Sequence, residues 1–249
     1  MGRGFASRVN RVIWQSDIVI EVVDARFPEE TRNSDLEKKV IDSGKKLIVA
    51  INKADLVSKE RAKRAKRGIS RPAVCVFLSA KDKKGINRIM REIGIAKGKT
   101  AVVGVIGYPN TGKSSLINAL KGRKVARTSK RAGFTRGEQL VRLNQEVMLV
   151  DSPGVIPFGE RDEFRLFLVG AKNVQDLSDK EFAALKLIEF IQKNNPKELK
   201  KKYGVVGKGE NALEELAVKR KKLSTGAVPD LNAAARIILE DWSKGKLKT

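Results

Sequence analysis

The chain of 249 residues has no histidine, a single cysteine and few aromatic residues, 5% in all. Without histidine the commonest general base and the commonest metal ligand are missing, so catalysis must fall to carboxylates, hydroxyls, lysine, metal ions or the backbone. The one thiol, Cys75 in "AVCVFLSA", excludes a disulfide framework and reads as a buried core residue in a reducing compartment. No apolar run approaches the ~20 residues that a membrane-crossing helix needs. The opening "MGRGFASRVN" lacks the apolar core of a signal peptide. A cytoplasmic protein without membrane attachment is expected. Acidic residues are scarce as well: 29 Asp and Glu stand against 52 Lys and Arg, for a net charge of +23. Such a field favours a polyanionic partner, RNA before any other.

What the chain does contain is a series of short β-branched runs. "DIVIEVVD" (17–24), "KLIVAIN" (46–52), "AVCVFLSA" (73–80), "AVVGVIG" (101–107) and "VMLVDSP" (147–153) are each nearly continuous in apolar residues and spaced by helical patterns. That pattern predicts parallel strands covered on both faces. "EQLVRLN" (138–144) alternates and reads as an edge strand, which makes six strands in a doubly wound, mostly parallel α/β sheet. Beyond residue 174 only helical patterns remain. Residues 1–174 are therefore read as one domain and 175–249 as a small all-α domain. Three helices are expected in the second: one opened by a Ser178/Glu181 capping box with Phe182, Leu185, Ile188 and Ile191 inward, one from Asn211 with Leu213, Leu216 and Leu223, and one from Asp230 to Trp242.

The phosphate signal is G-x-x-x-x-G-K-S. Gly107, Gly112, Lys113 and Ser114 match it directly after an apolar strand and before "SSLINAL". Backbone N–H groups around Asn110, Thr111 and Ser115 would wrap phosphates, Lys113 would meet the β- and γ-phosphates, and Ser114 would bind Mg²⁺. "DSPG" (151–154) ends another strand, so Asp151 can hold Mg²⁺ through water while the Gly154 N–H faces the γ-phosphate. "NKAD" (52–55) selects a base. The Asp55 carboxylate can accept from guanine N1–H and its amino group, Asn52 can touch the N7/O6 edge, and the Lys53 stem can cover the ring. Adenine would leave that carboxylate without its donors. "SAK" (Ser79, Ala80, Lys81) ends the next strand and places the Ala80 N–H toward O6.

All four signals fall at carboxyl ends of strands, where a doubly wound sheet holds its ligand. Together they resemble the GTPase family, whose order runs P-loop, switch I threonine, D-x-P-G, N-K-x-D, S-A-K. Here the last two come first. The chain therefore resembles the circularly permuted GTPases of the ribosome-assembly type, the YlqF/YawG group. "DARFPEETRN" (24–33) and "ELAVKRKKLSTG" with "DLNAAARIILEDWSKGKL" extend the likeness over nearly the whole chain.

The resemblance implies bound GTP or GDP with Mg²⁺, hydrolysis of GTP, a role in assembly of the large ribosomal subunit with ribosomal RNA as partner, and action as a monomer. It assigns Thr135 of "RAGFTRG" as the switch I hydroxyl on Mg²⁺, with Thr128 as the neighbouring alternative. Lys113, Thr135 and Gly154 become the groups that act on the γ-phosphate. Asn110 matches members that use K⁺ against transition-state charge. Val155 stands where Ras-like enzymes place a water-orienting glutamine, and the histidine that bacterial members are thought to use instead has no counterpart here. Slow intrinsic hydrolysis, on the order of 10⁻³ per second or below, is expected until a partner or K⁺ completes the site. The permutation also makes the segment after "DSPG" the connection to the helical domain, so γ-phosphate contacts are expected to reorient that domain.

The helical domain carries 16 basic and 11 acidic residues, so most of the positive charge belongs to residues 1–174. Lys59–Arg71 holds seven basic residues and one acid, and Lys121–Arg136 holds seven and none. The second run, with Lys124, Arg127, Lys130 and Arg131, is read as an RNA contact, joined by Lys200, Lys201, Lys219 and Arg220 of the helical domain. With so few aromatics and no K/R-G-F-type sheet motif, recognition of folded RNA through shape and phosphates is expected rather than stacking on single strands. Two rival readings share these residues: an RNA-binding protein in which guanine nucleotide is structural, and a GTPase acting on another RNA such as tRNA.

Overall fold

The computed structural model describes residues 2–58, 73–94, 100–121, 140–143, 147–151 and 162–248. They belong to two units, Met1–Glu160 and Arg161–Thr249. The first contains α1 (Gly2–Gln15), β1 (Ile18–Asp24), α2 (Pro28–Thr31), α3 (Ser34–Asp42) and β2 (Lys46–Asn52). After a 3₁₀ turn at Ala54–Leu56 follow β3 (Val74–Phe77), α4 (Ile86–Ile93), β4 (Ala101–Ile106), α5 (Lys113–Lys121), β5 (Leu140–Arg142) and β6 (Val147–Asp151).

The six strands form one sheet in the order β3-β2-β1-β4-β6-β5. All pairs are parallel except β5 with β6. Alternation along β1 divides the core. Ile18, Ile20 and Val22 face Ile86, Ile89 and Ile93 of α4 and Leu116 and Leu120 of α5. Val19 and Val23 face Val9, Val12 and Ile13 of α1 and Val40 of α3. The expected double winding is thus present, with the alternating run as a short antiparallel edge strand. The chain leaves β1 outward to β2 and β3, then returns to the other side of β1 for β4. The switch point between β1 and β4 is where such a sheet opens a crevice at its carboxyl edge.

The sequence reading places no helix before β1; the structure has α1 there, packed against β4. Gly104 of β4 makes that packing possible. A Cβ at this position would lie 2.4 Å from Ser16 Oγ and 2.9 Å from Val12 Cγ1. Ser16 cannot easily turn away, because its hydroxyl donates to the Val12 carbonyl at 2.6 Å. The Asp17 N–H donates to the Val102 carbonyl, and the Val102 N–H returns to the Asp17 carboxylate, both at 2.8 Å.

The second unit contains α6 (Glu163–Leu168), α7 (Lys180–Asn194), α8 (Glu198–Tyr203), α9 (Gly209–Lys219) and α10 (Leu231–Ser243). α7 packs against α8, α9 and α10, and Trp242 is buried with its ring edge-on to Phe190 at 6.0 Å. Five details differ from the sequence reading. The unit begins at residue 161 rather than 175, because Asp162 caps α6 and Glu163 bonds both Lys172 and Ser178. α7 is capped by Asp179, whose side chain accepts from the Phe182 N–H, while the Ser178 hydroxyl donates to Glu163. Phe182 is exposed, and the buried side of α7 is Ala183, Ala184, Leu187, Ile188 and Ile191. Leu223 lies past the end of α9 and is exposed, and the lysine run 200–202 is itself helical in α8.

Replacing Gly104 by alanine should drive a methyl group into the α1–β4 contact. A loss of about 1–3 kcal/mol in unfolding free energy is expected. Denaturant unfolding of Gly104→Ala checks this, and a variant as stable as the parent would show that α1 docks less tightly than described.

Candidate nucleotide site

Three loops at the carboxyl edge of the sheet meet through one side chain. Asn52 closes β2 and is buried. Its Nδ2 donates to the Thr111 carbonyl at 2.9 Å, and its Oδ1 accepts from the Ala80 N–H at 3.0 Å. One amide thereby holds the 107–113 loop after β4 and the 78–85 loop after β3. Asn52 and Ala80 are the residues expected at guanine; in the structure one N–H and the oxygen of the Asn52 amide bond the Thr111 carbonyl and the Ala80 N–H. The physical reason is that two buried backbone groups, the Ala80 N–H and the Thr111 C=O, need partners in a crowded crevice.

The phosphate-type loop is built for close approach. Gly112 has φ +99°, and a Cβ there would sit 2.2 Å from Asn52 Nδ2. Gly107 has φ +140°, and a Cβ would meet the Val22 carbonyl at 2.4 Å. Asn110 takes φ +55°, a left-handed conformation that asparagine tolerates. Thr111 is fully buried with its hydroxyl donating to the Tyr108 carbonyl. Lys113 opens α5 and is buried; its Nζ donates to the carbonyls of Tyr108 at 2.7 Å and Gly107 at 3.1 Å. Ser114 and Ser115 are exposed in the first turn of α5. Asp151 closes β6 level with Val105, two residues before Gly107.

The base-type loop turns on Lys53, which has φ +61° and leads into the 3₁₀ turn that carries a half-exposed Asp55. Ser79 is buried and accepts from the Asp82 N–H, and Lys81 is exposed. The Lys53 ammonium donates to Asp24 Oδ2 at 2.7 Å. Asp24, at the end of β1, is fully buried and also accepts from Arg26: Nη2 at 2.8 Å, Nε at 3.1 Å and the backbone N–H at 3.0 Å. Burial alone would raise the Asp24 carboxyl, yet Arg26 and then Lys53 outweigh it and hold the group below the ordinary carboxylate range. Burial lowers Lys53, with Asp24 opposing. The sequence signal for this network was "DARFP", whose role is legible only once β1 and β2 lie side by side with Asp24 opposite Asn52.

The structure therefore brings together Asn52, Lys53, Ala80, Thr111, Gly112 and Lys113. Thr135, Thr128, Gly154, Val155, Lys124, Arg127, Lys130 and Arg131 lie outside the described residues, as does the side chain of Asp151. In the second unit Lys200, Lys201, Lys219 and Arg220 are all exposed, and the Arg220 guanidinium stacks over the Tyr203 ring at 5.0 Å.

Asp24→Asn would remove the buried carboxylate that Arg26, itself buried, and Lys53, partly buried, both bond. A loss of about 3–5 kcal/mol is expected. Because the folded carboxyl is held low, its contribution is present above the unfolded value of ~3.9 and fades as pH falls below it. Chemical denaturation across acidic pH should therefore show a steeper decline for the parent than for Asp24→Asn, and parallel curves would refute the assignment.

Comparison with known proteins gives a consistent result. A family model described as 50S ribosome-binding GTPase matches residues 102–213. An uncharacterized GTP-binding protein of Methanocaldococcus jannaschii is 40% identical over 248 residues, which cover 96% of this chain and 65% of that protein. The guanine nucleotide-binding protein-like 3 homolog of Caenorhabditis elegans is 31% identical, over 99% of this chain and 49% of its own length. The chain thus spans about two thirds to a half of the curated relatives it matches. Among solved structures, GNP-bound YlqF from T. maritima superposes with a TM-score of 0.66 at 23% identity, over 98% of this chain and 95% of that one. GDP-bound YlqF gives 0.68 at the same identity, over 96% and 94%. With its base-type loops preceding a phosphate-type loop on one sheet, the chain has the circularly permuted P-loop GTPase fold of these structures.

Proposed function

We propose that this protein binds GTP and GDP with Mg²⁺, hydrolyses GTP slowly, and binds ribosomal RNA as a monomeric assembly factor for the large ribosomal subunit. The observation that carries the nucleotide reading is the Asn52 amide, bonded at once to the phosphate-type loop and to the Ala80 N–H. Loops separated by dozens of residues thereby form one crevice at the switch point of the sheet. Within it Asp55 reads guanine, the stem of Lys53 covers the ring, and the N–H groups of residues 110–115 with the Lys113 ammonium hold the phosphates.

Lys113 lies over loop carbonyls, so a phosphate would exchange two neutral acceptors for charged ones. The donors suit Mg²⁺. The Ser114 hydroxyl is exposed at the first turn of α5, and Asp151 ends the strand next to β4, so both stand at the same edge of the sheet. Thr135 and Asp151 with Ser114 would hold the ion, which offsets charge on the β- and γ-phosphate oxygens. Asn110 would hold K⁺, and the Gly154 N–H would sense the γ-phosphate.

The ribosomal reading is supported by the description of the matching family, by relatives named as nucleolar or nuclear GTPases, and by the net charge of +23. A cytoplasmic place of action is part of this reading; among the described residues no helix is long and apolar enough to cross a membrane.

Fluorescent GDP should be displaced by GTP and not by ATP, and Asp55→Ala should narrow that preference by about 5- to 150-fold. Equal displacement by ATP would sink the guanine assignment. Turnover should be faster in KCl than in NaCl, and RNA retained on the immobilised protein should be ribosomal and richer with a GTP analogue than with GDP. Retention should fall steeply with salt; retention indifferent to salt or nucleotide would leave the rival structural-nucleotide reading.

A further inference from the structure

The side of the sheet remote from the nucleotide crevice carries an aromatic residue that the fold does not use. α1 turns Val9, Val12 and Ile13 inward, while Trp14 in its last turn is 80% exposed. The only other tryptophan, Trp242, is 1% exposed. Trp14 borders an open depression of about 630 Å³, lined by Asn10, Arg11, Ile13, Trp14, Lys39, Ser43 and Lys45. Three of these residues are cations and none is an acid. Asp17, two residues beyond the helix, has its carboxylate on the Val102 N–H.

The floor of this depression is fixed. Lys45 Nζ donates to the carbonyls of Ile13, Trp14 and Ser16, which close the end of α1. A helix C-terminus carries partial negative charge and would repel a polyanion; the Lys45 ammonium offsets it. Lys39 Nζ donates to Asn10 Oδ1, which pins α3 to α1 beside the indole.

We propose that this surface binds RNA, with an unpaired base stacked on the Trp14 indole and flanking phosphates drawn to Arg11 and Lys39, while Lys45 supplies charge and holds the helix end. The inference rests on the preceding reading for the polyanion being RNA, and it adds a second contact about a strand's length away. β1 has seven residues, or roughly 20 Å at ~3.3 Å per residue. A base is favoured over a protein because, among the described residues of this unit, Trp14 is the one large apolar side chain that is exposed. The other exposed large apolar residues among those described, Phe182, Val206, Val218, Leu223 and Val228, all belong to the second unit. A lone ring amid cations lacks the contiguous apolar patch of a protein interface, whereas stacking plus phosphate contact is how single-stranded nucleic acid is held.

The test uses the full chain and its tryptophan emission, in which Trp14 is the solvent-exposed reporter. A short oligoadenylate should quench emission and bind the Trp14→Ala variant about 5- to 150-fold more weakly. Trp14→Phe should keep most of the affinity, and heparin, a polyanion without bases, should bind without comparable quenching. The proposal is overturned if heparin quenches equally, if Trp14→Ala binds oligoadenylate as the parent does, or if emission follows protein concentration, as packing against a second copy would require. Binding of duplex RNA with Trp14 silent removes this surface alone; no binding of any RNA removes the ribosomal reading with it.

Discussion

The arrangement depends on a single buried amide. Asn52 offers one donor and one acceptor group at the end of β2, and the structure gives both to backbone groups of different loops. A buried amide left half-satisfied would cost about 1–3 kcal/mol, so the positions of the two loops are energetically linked to one rotamer. Gly112 shows how tight the fit is, since even a methyl group there would overlap the amide nitrogen. This linkage explains why the permutation is tolerated. The crevice is made of strand ends and the contacts among their loops, and neither depends on which strand the chain visits first. Cutting and rejoining a doubly wound sheet alters the connections at its rim and leaves the neighbours of Asn52 unchanged.

Two carboxyl groups on β1 show how environment sets charge in this sheet. Asp24 lies at the strand end between Arg26 and Lys53, and those cations outweigh its burial. Glu21 lies three residues earlier on the strand, accepts from the Asn33 N–H, and is pushed well up, first by burial and then by the neighbouring Glu37. Glu37 keeps its charge through Arg32, which bonds both of its oxygens. One carboxyl is held ionised and anchors Lys53; the other, its charged form disfavoured by burial and by Glu37, ties the 31–37 segment to the sheet centre. The Arg32 charge acts on Glu21 less strongly than burial and Glu37 do, whereas Asp24 is bonded directly by two cations.

Much of this was legible in the sequence, for identifiable reasons. Buried parallel strands read as continuous apolar runs, and the phosphate- and base-type loops announced themselves through glycine, lysine and aspartate at strand ends. α1 was not legible, because its exposed Arg11 and Trp14 dilute the apolar repeat that Val9, Val12 and Ile13 set. The lysines at 200–202 hid α8, which buries only Leu199, Tyr203 and the stem of Glu198. Ser178 and Asp179 both suit a helix cap; the choice fell to Asp179 because Glu163 claims the Ser178 hydroxyl, a contact across 15 residues. The same limit concealed the Asp24 network. "DARFP" names its members, but their function requires Lys53 to arrive from the next strand.

The two edges of the sheet then pose an electrostatic question. Nucleotide and RNA are both polyanions, and a protein that binds both must keep their charges from competing. At physiological ionic strength the screening length is about 8 Å, well short of the roughly 20 Å that seven residues of β1 span. Phosphates at the Lys113 loop and at the Trp14 depression would therefore hardly sense one another through solvent. Any coupling between them must be mechanical, and β1 is the element that could carry it. Its carboxyl end holds Asp24 against Lys53, and its amino end joins the turn where Asp17 and Ser16 fix α1 to β4. A rigid, fully buried strand transmits little bending, which favours independent occupation of the two surfaces. Nucleotide-dependent release from RNA would then have to act through the segment that follows Asp151, and a contact at the amino edge would persist through the nucleotide cycle.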